Sequence, residues 1–157
     1  MSPPLDPLLI HRRDFGIQLL RLGRSWRQAV DTELSRYGLT GATWRPLYHV
    51  GNLGGGVRLK DLAEALDMER PSLGQLVDRL ERDGLVERAC APDDRRGKVI
   101  HLTPAGREIY CRTLRVGAEV AARLLADVSD EELAVCTSVF ARVATAAAEK
   151  SDEVESP

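Results

Sequence analysis

Between Leu85 and Leu102 the hydrophobic period of the chain changes from that of a helix to that of a strand, and no other feature restricts the fold as sharply. Leu85, Val86, Glu87, Arg88 and Ala89 alternate as a strand, residues 92–97 read as a charged hairpin tip, and residues 99–102 read as the return strand. Two short helical patterns stand directly before this hairpin: Leu59, Leu62, Ala63 and Leu66, then Leu73, Leu76, Val77 and Leu80. Gly84 closes the second as a left-handed C-cap, with Leu85 as its apolar partner.

The flanks are helical. Phe15, Leu19, Leu22, Trp26, Val30 and Leu34 recur at steps of three and four, which predicts a long amphipathic helix over residues 14–34. The prolines at 3, 4 and 7 exclude an interior helix before it, so that stretch is expected to be an arm. Thr40 caps a short helix bearing Trp44, Leu47, Tyr48 and Val50, which should stop at the glycine-rich run of residues 51–56. A phosphate-cradling loop would end in Gly-Lys-Ser/Thr, whereas this one continues Val57-Arg58-Leu59-Lys60, and is read as a plain loop. Thr103-Pro104 starts a helix reaching about residue 126, with Pro where its missing N–H costs nothing. Ser129 and Glu132 form a capping box that opens a last helix through Leu133, Cys136, Val139, Phe140, Val143 and Ala147.

One domain is the natural expectation for 157 residues, and 4% aromatics with abundant Leu, Ala and Arg disfavour an aromatic-rich β-sandwich. The net charge of −2 argues against a nucleic-acid partner until it is divided along the chain. Residues 1–126 hold 20 Lys/Arg and 16 Asp/Glu, whereas residues 127–157 hold 2 and 8, so the acidity is a C-terminal property. No apolar run approaches the roughly 18 residues of a membrane span, and no signal sequence is visible, so a soluble, cytoplasmic protein with no membrane partner is expected.

Helix, helix, helix and hairpin across residues 40–103 is the order of a winged helix-turn-helix, in which the second helix of the pair enters the major groove. The fold class expected is therefore mainly α with a small β-hairpin: a winged helix-turn-helix flanked by long helices. Its residues carry a likeness as well. Leu59-Lys60-Asp61-Leu62-Ala63, Glu69-Arg70-Pro71-Ser72-Leu73, the run from Leu76 to Val86, Asp93-Asp94-Arg95-Arg96-Gly97-Lys98 and Leu102-Thr103 resemble the MarR family of bacterial transcriptional regulators, in its SlyA-like branch. The Asp94-x-Arg96 wing followed by Leu102-Thr103 is the most specific piece.

The resemblance implies a homodimer, held by the first helix and the last two, whose lobes read half-sites of a pseudo-palindromic operator about 34 Å apart. It implies an arm and dimerisation helix over residues 1–36, a DNA-binding lobe over 37–103, dimerisation helices over 104–150 and a frayed tail over 151–157. Double-stranded DNA and a second copy of the chain are the partners expected, in a bacterial cytoplasm on the nucleoid, with repression as the expected action and no cofactor.

On the second helix of the pair the leucines and Val77 face inward, leaving Arg70, Pro71, Ser72, Gln75 and Arg79 as candidate DNA contacts, with Arg82 also outside. Gln pairs with adenine, Arg with guanine, and Ser with phosphate or base. Without the hairpin these residues would be an ordinary solvated helix face; the basic wing beside them changes the balance. By resemblance, Arg95 probes the minor groove while Asp94 and Arg96 stiffen the tip and Lys98 adds charge. Two features run against simple expectation. Asp78, Glu81 and Asp83 share the helix, leaving residues 58–107 neutral with ten charges of each sign, and Pro71 is acceptable only in the first turn.

Relatives of this kind often release DNA on binding a small aromatic carboxylate. Trp44 and Tyr48 are one turn apart, and with Trp26 and Arg45 they are the candidate effector pocket, although such a pair is also what a core uses. Cys90, Cys111 and Cys136 show neither disulfide nor zinc spacing; reduced structural thiols are expected, with Cys90 beside Arg88 read as inert. His11, His49 and His101 stand apart, so no metal site is expected. No nucleophile elbow or zinc helix indicates an enzyme or any catalytic residue. The competing reading is a winged-helix module that binds proteins and no DNA.

Overall fold

The computed structural model describes residues 6–91 and 94–154, the side chains of 91, 94–97 and 150–154 excepted. Among these residues the order is α1 (Pro7–Ser35), α2 (Gly41–Asn52), β1 (Val57–Arg58), α3 (Leu59–Leu66), α4 (Arg70–Arg82), β2 (Val86–Ala91), β3 (Asp94–Leu102), α5 (Pro104–Leu124) and α6 (Asp130–Val154). The chain divides into two units, residues 1–120 and 121–157.

In the first unit α1 begins seven residues before the apolar periodicity does. Pro7 occupies the first turn, where a helix has no use for its absent N–H, and the Asp6 carboxylate accepts the Leu8 N–H at 2.9 Å. The five residues before Asp6, most of the expected arm, lie outside the described residues. Thr40 stands at the N-cap of α2 as expected, but its hydroxyl meets that of Thr43 at 3.3 Å instead of a backbone N–H.

The hairpin belongs to a three-stranded antiparallel sheet of order β1-β3-β2, in which the two-residue β1 sets Val57 against Ile100 and Arg58 against Val99. Gly54, Gly55 and Gly56 all take positive φ, turning the chain sharply enough to lay β1 on the sheet, and the Gly56 N–H donates to His101 Nδ1 at 3.1 Å. The strands of the wing also run further than expected. Val86 pairs with Leu102 and Cys90 with Lys98, but Ala91 then pairs with Asp94, so residues 95–97 bulge within β3 instead of forming the tip. Ala89, Cys90 and Lys98 are exposed; a hairpin arm that leaves its lobe has no apolar face to keep, so alternation cannot mark its length.

Leu47, Val50, Leu62, Leu66, Leu73, Val77, Leu80, Val86 and Ile100 form the core of the winged lobe, every one nearly solvent-free. Its corners are closed by hydrogen bonds. At the end of α4 the Leu85 N–H returns to the Leu80 carbonyl at 2.9 Å and Gly84, at φ +72°, to Glu81 at 3.0 Å, which is the expected C-cap. The Thr103 hydroxyl donates to the Gly84 carbonyl at 2.7 Å and accepts the Gly106 N–H at 3.1 Å, so one side chain joins the end of α4 to the start of α5. A Cβ on Gly106 would lie 1.9 Å from the Leu85 carbonyl oxygen, which makes glycine obligatory there.

A second cluster in this unit joins Val30 and Leu34 of α1, Leu39, Trp44 of α2, and Val116 and Val120 of α5. The Trp44 indole N–H is satisfied by Asp31 at 2.8 Å. The N-terminal half of α1 is different: Leu8, Leu9, Phe15, Ile17, Leu20 and Leu22 are all exposed.

In the second unit α6 opens with the capping box formed in both directions. Ser129 Oγ accepts the Glu132 N–H at 3.2 Å, and Glu132 accepts the Ser129 N–H at 2.9 Å. Val135, Phe140 and Val143 of this helix are exposed, and the helix continues through Val154, into the stretch expected to fray.

Candidate nucleic-acid interface

Helix α4 owes its position to Leu73, Val77 and Leu80, which are fully buried, and to Leu76, which is partly so. That stripe turns the other side of the helix outward. Arg70, Pro71, Ser72, Gln75, Arg79 and Arg82 are all exposed, and Pro71 sits in the first turn, the one place where it costs no hydrogen bond. Ser72 and Arg79 are two turns apart on one flank and Gln75 lies between them, so these three share a surface, while Arg70 stands at the start of the helix.

The acids of α4 are separated from that surface. Asp78 and Glu81, three residues apart, stand on the flank facing β2, and Arg88 of β2 reaches both: Nη2 lies 2.6 Å from Asp78 Oδ1 and Nη1 2.5 Å from Glu81 Oε2. Glu81 Oε1 also accepts the Arg88 backbone N–H at 3.2 Å. Burial works to lower the Arg88 pKa, but the hydrogen bonds and charges of the two carboxylates outweigh it and hold the guanidinium above the ordinary arginine value. By contrast Arg79 and Asp83 approach only to 3.8 Å in an exposed pair, which leaves Arg79 free to exchange partners. Asp94, Arg95 and Arg96 stand in β3 with side chains outside the described residues; Lys98 is exposed opposite Cys90.

A cavity of about 410 Å³ opens between α1, α2, α3 and α5, lined by Gly23, Trp26, Arg27, Val30, Trp44, Arg45, Tyr48, His49, Ala65, Thr113 and Gly117. All four candidate pocket residues, Trp26, Trp44, Arg45 and Tyr48, meet there. Trp44 and Tyr48 pack edge to face at 6.3 Å between centroids, and Tyr48 stands in the same way on His49 at 5.5 Å. Burial, and then the nearby Arg45 charge, lower the His49 pKa below its ordinary value. Arg27 and Arg45 both line this cavity and form no ion pair among the described residues.

A family model described as MarR family matches residues 37–97, the segment from just before α2 into the wing. The crystal structure of transcriptional regulator PA3341 superposes with a TM-score of 0.80 at 32% identity, over 86% of this chain and 98% of that one. The chain belongs to the MarR family. Members of this family are transcriptional regulators and not enzymes, and so is this chain. CouR from Rhodococcus jostii RHA1, solved with p-coumaroyl-CoA, is 27% identical with a TM-score of 0.72, over 83% of this chain and 92% of CouR. S. aureus MepR, solved as a DNA complex, shares the fold at a TM-score of 0.70 and 21% identity, over 84% of this chain and 95% of MepR.

Among the described residues of this MarR family protein no helix is long and apolar enough to cross a membrane. No group of three or more His, Cys, Asp or Glu residues among them is placed to hold a metal. Cys90, Cys111 and Cys136 are free and all exposed. Two sets of residues escaped sequence reasoning: the Arg88 clamp, and Arg27 and His49 of the cavity. The i,i+3 spacing of Asp78 and Glu81 is a signal for the first, since it puts two acids on one flank of a helix followed directly by a strand with an arginine.

Proposed function

We propose that this MarR family protein is a homodimer that binds a pseudo-palindromic double-stranded DNA operator and represses transcription from it, in a bacterial cytoplasm. The observation that carries the reading is the sorted surface of α4: Arg70, Ser72, Gln75 and Arg79 exposed, with Asp78 and Glu81 drawn aside onto Arg88. In this reading α4 lies in the major groove, where Gln75 and Arg79 meet base edges and Arg70, Pro71 and Ser72 meet backbone and sugar. The wing residues Asp94, Arg95, Arg96 and Lys98 lie along the minor groove. Dimerisation uses the exposed apolar residues of α1, such as Leu9 and Leu20, together with α5 and α6. A lobe of zero net charge needs this duplication, because each added phosphate contact strengthens a salt-dependent affinity.

The test is fluorescence anisotropy with a labelled duplex from upstream of the protein's own gene. The expected complex weakens steeply with salt; Gln75→Ala and Arg79→Ala each cost about 1–3 kcal/mol and relax the sequence preference. A lobe that gives no salt-sensitive complex, and is indifferent to both variants, overturns the reading in favour of a protein-binding module.

The cavity is the proposed effector site. Its volume suits a small aromatic carboxylate, with the ring between Trp26, Trp44 and Tyr48 and the carboxylate on Arg45. CouR, with its bound p-coumaroyl thioester, supports an aromatic ligand for this family member as well. Calorimetry with salicylate is expected to give heat that Arg45→Ala removes, and the acid is expected to lower operator affinity. Absence of both effects with aromatic acids of this size removes the pocket from the function.

A further inference from the structure

We propose that Arg88 is a positioning residue for DNA binding: a built-in counterion that cancels the acidic flank of α4, so that the helix meets a polyanion with its arginines and not its carboxylates. The proposal rests on the DNA-binding reading above and deepens it.

The lobe from residue 58 to residue 107 has equal numbers of acids and bases, so its approach to DNA depends on where the charges are held. Asp78 and Glu81 belong to the same thirteen-residue helix as Arg70, Gln75 and Arg79, and no carboxylate of that helix is more than a few residues from a candidate contact. Left alone, two carboxylates one turn apart would repel phosphate and each other.

Arg88 removes this conflict with one side chain. Its two terminal nitrogens take one carboxylate each, at 2.6 and 2.5 Å, in the fork geometry that lysine does not have. Its side chain is 22% exposed against 60% for Asp78, so the guanidinium comes from the shielded side and is not itself offered to solvent. The backbone contributes too. With the Arg88 N–H on Glu81 Oε1, the same acid is keyed to the main chain of β2, which sets the wing strand against the helix that precedes it. An exposed pair such as Arg79 with Asp83, at 3.8 Å, has neither feature.

A packing residue and a counterion make different predictions when salt is varied. Removing a counterion leaves a repulsion that added salt screens, so the defect shrinks as ionic strength rises. Removing a packing contact leaves a defect that salt does not repair.

The experiment measures binding of the 157-residue protein to the labelled upstream duplex from about 50 to 200 mM salt, a range over which several phosphate contacts change affinity by orders of magnitude. Arg88→Met is expected to weaken binding by about tenfold at the low-salt end and by less at the high end, giving a shallower salt slope. Adding Asp78→Asn and Glu81→Gln to Arg88→Met is expected to restore both affinity and slope. Asp78→Asn with Glu81→Gln alone, which keeps Arg88, frees one cation and is expected to bind a few-fold more tightly than the wild type, and this variant decides the matter if Arg88→Met does not fold. Wild-type binding that is unchanged in Arg88→Met, or a loss that is equal at all salt concentrations and not rescued by the neutral amides, overturns the proposal and leaves the DNA-binding reading standing. A wild-type protein that shows no salt-sensitive complex overturns that reading, and the proposal with it.

Discussion

The two hydrophobic clusters of the first unit are built on different principles. Around the winged lobe, helices α2, α3 and α4 and all three strands send side chains into one core, and Leu47, Leu62 and Leu73 are completely removed from solvent. The cluster between α1, α2 and α5 has half as many buried residues, borders a cavity of about 410 Å³ and meets a helix whose first half is apolar and exposed. A small core can be stable when it is completed from within, as the lobe is by its caps and by Thr103. The helical cluster continues along α1 into apolar residues that one chain leaves exposed, and an exposed apolar surface beside an open cavity is where association and ligand binding can change a conformation at low cost.

Four measurements test this contrast, the largest effect first. Gly106→Ala puts a Cβ into the Leu85 carbonyl and should cost roughly 4 kcal/mol or more, read as a collapse of the urea midpoint. A midpoint close to wild type would mean that the α4–α5 corner is soft and the lobe less closed than described. Leu9→Glu with Leu20→Glu should leave circular dichroism intact but convert the proposed dimer to monomer in sedimentation velocity, raising the dissociation constant by about a hundredfold. If the dimer persists, the exposed half of α1 is not the surface that completes the helical cluster.

Trp44→Phe deprives Asp31 of its indole donor and should destabilise by about 1–2 kcal/mol in chemical denaturation, with a smaller loss expected of a contact at the edge of a cavity than in the lobe core. The smallest effect is a pH dependence. Because the folded-state pKa of His49 is lowered, the unfolded chain takes up a proton first as pH falls below about 6.5, and stability declines from there towards the folded pKa. His49→Gln should flatten that decline in denaturation curves between pH 5 and 7.5. An unchanged slope would place the titration elsewhere, and the cavity would then be wetter at His49 than its burial implies.

The parts of the structure that were legible in advance are those decided within a few residues of chain. Ser129 and Glu132 satisfy each other across one turn, Gly84 closes α4 with its own carbonyls, and Thr103 accepts the N–H three residues on. The α4 face was legible for the same reason, since one helix with four apolar positions has only one way to turn outward. The helix start at Pro7 was missed because capping, not hydrophobic period, decides it. β1 was missed because two residues are too few to show a period, and its pairing partner lies more than forty residues away. The wing tip was misplaced because the strand residues leading to it, Ala89, Cys90 and Lys98, are exposed and carry no apolar alternation.

The sequence by itself determined the order of elements, the winged helix-turn-helix class, the outward residues of α4 and the four aromatic and basic residues that meet in the cavity, all of which follow from period, capping and local charge. Only the tertiary structure decided which charges are free. Ten acids and ten bases in the lobe are equivalent in a composition, but Arg88 is close to Asp78 and Glu81 only after β2 folds back beside α4, and the field of a charge depends on distance and burial, which a linear chain does not carry.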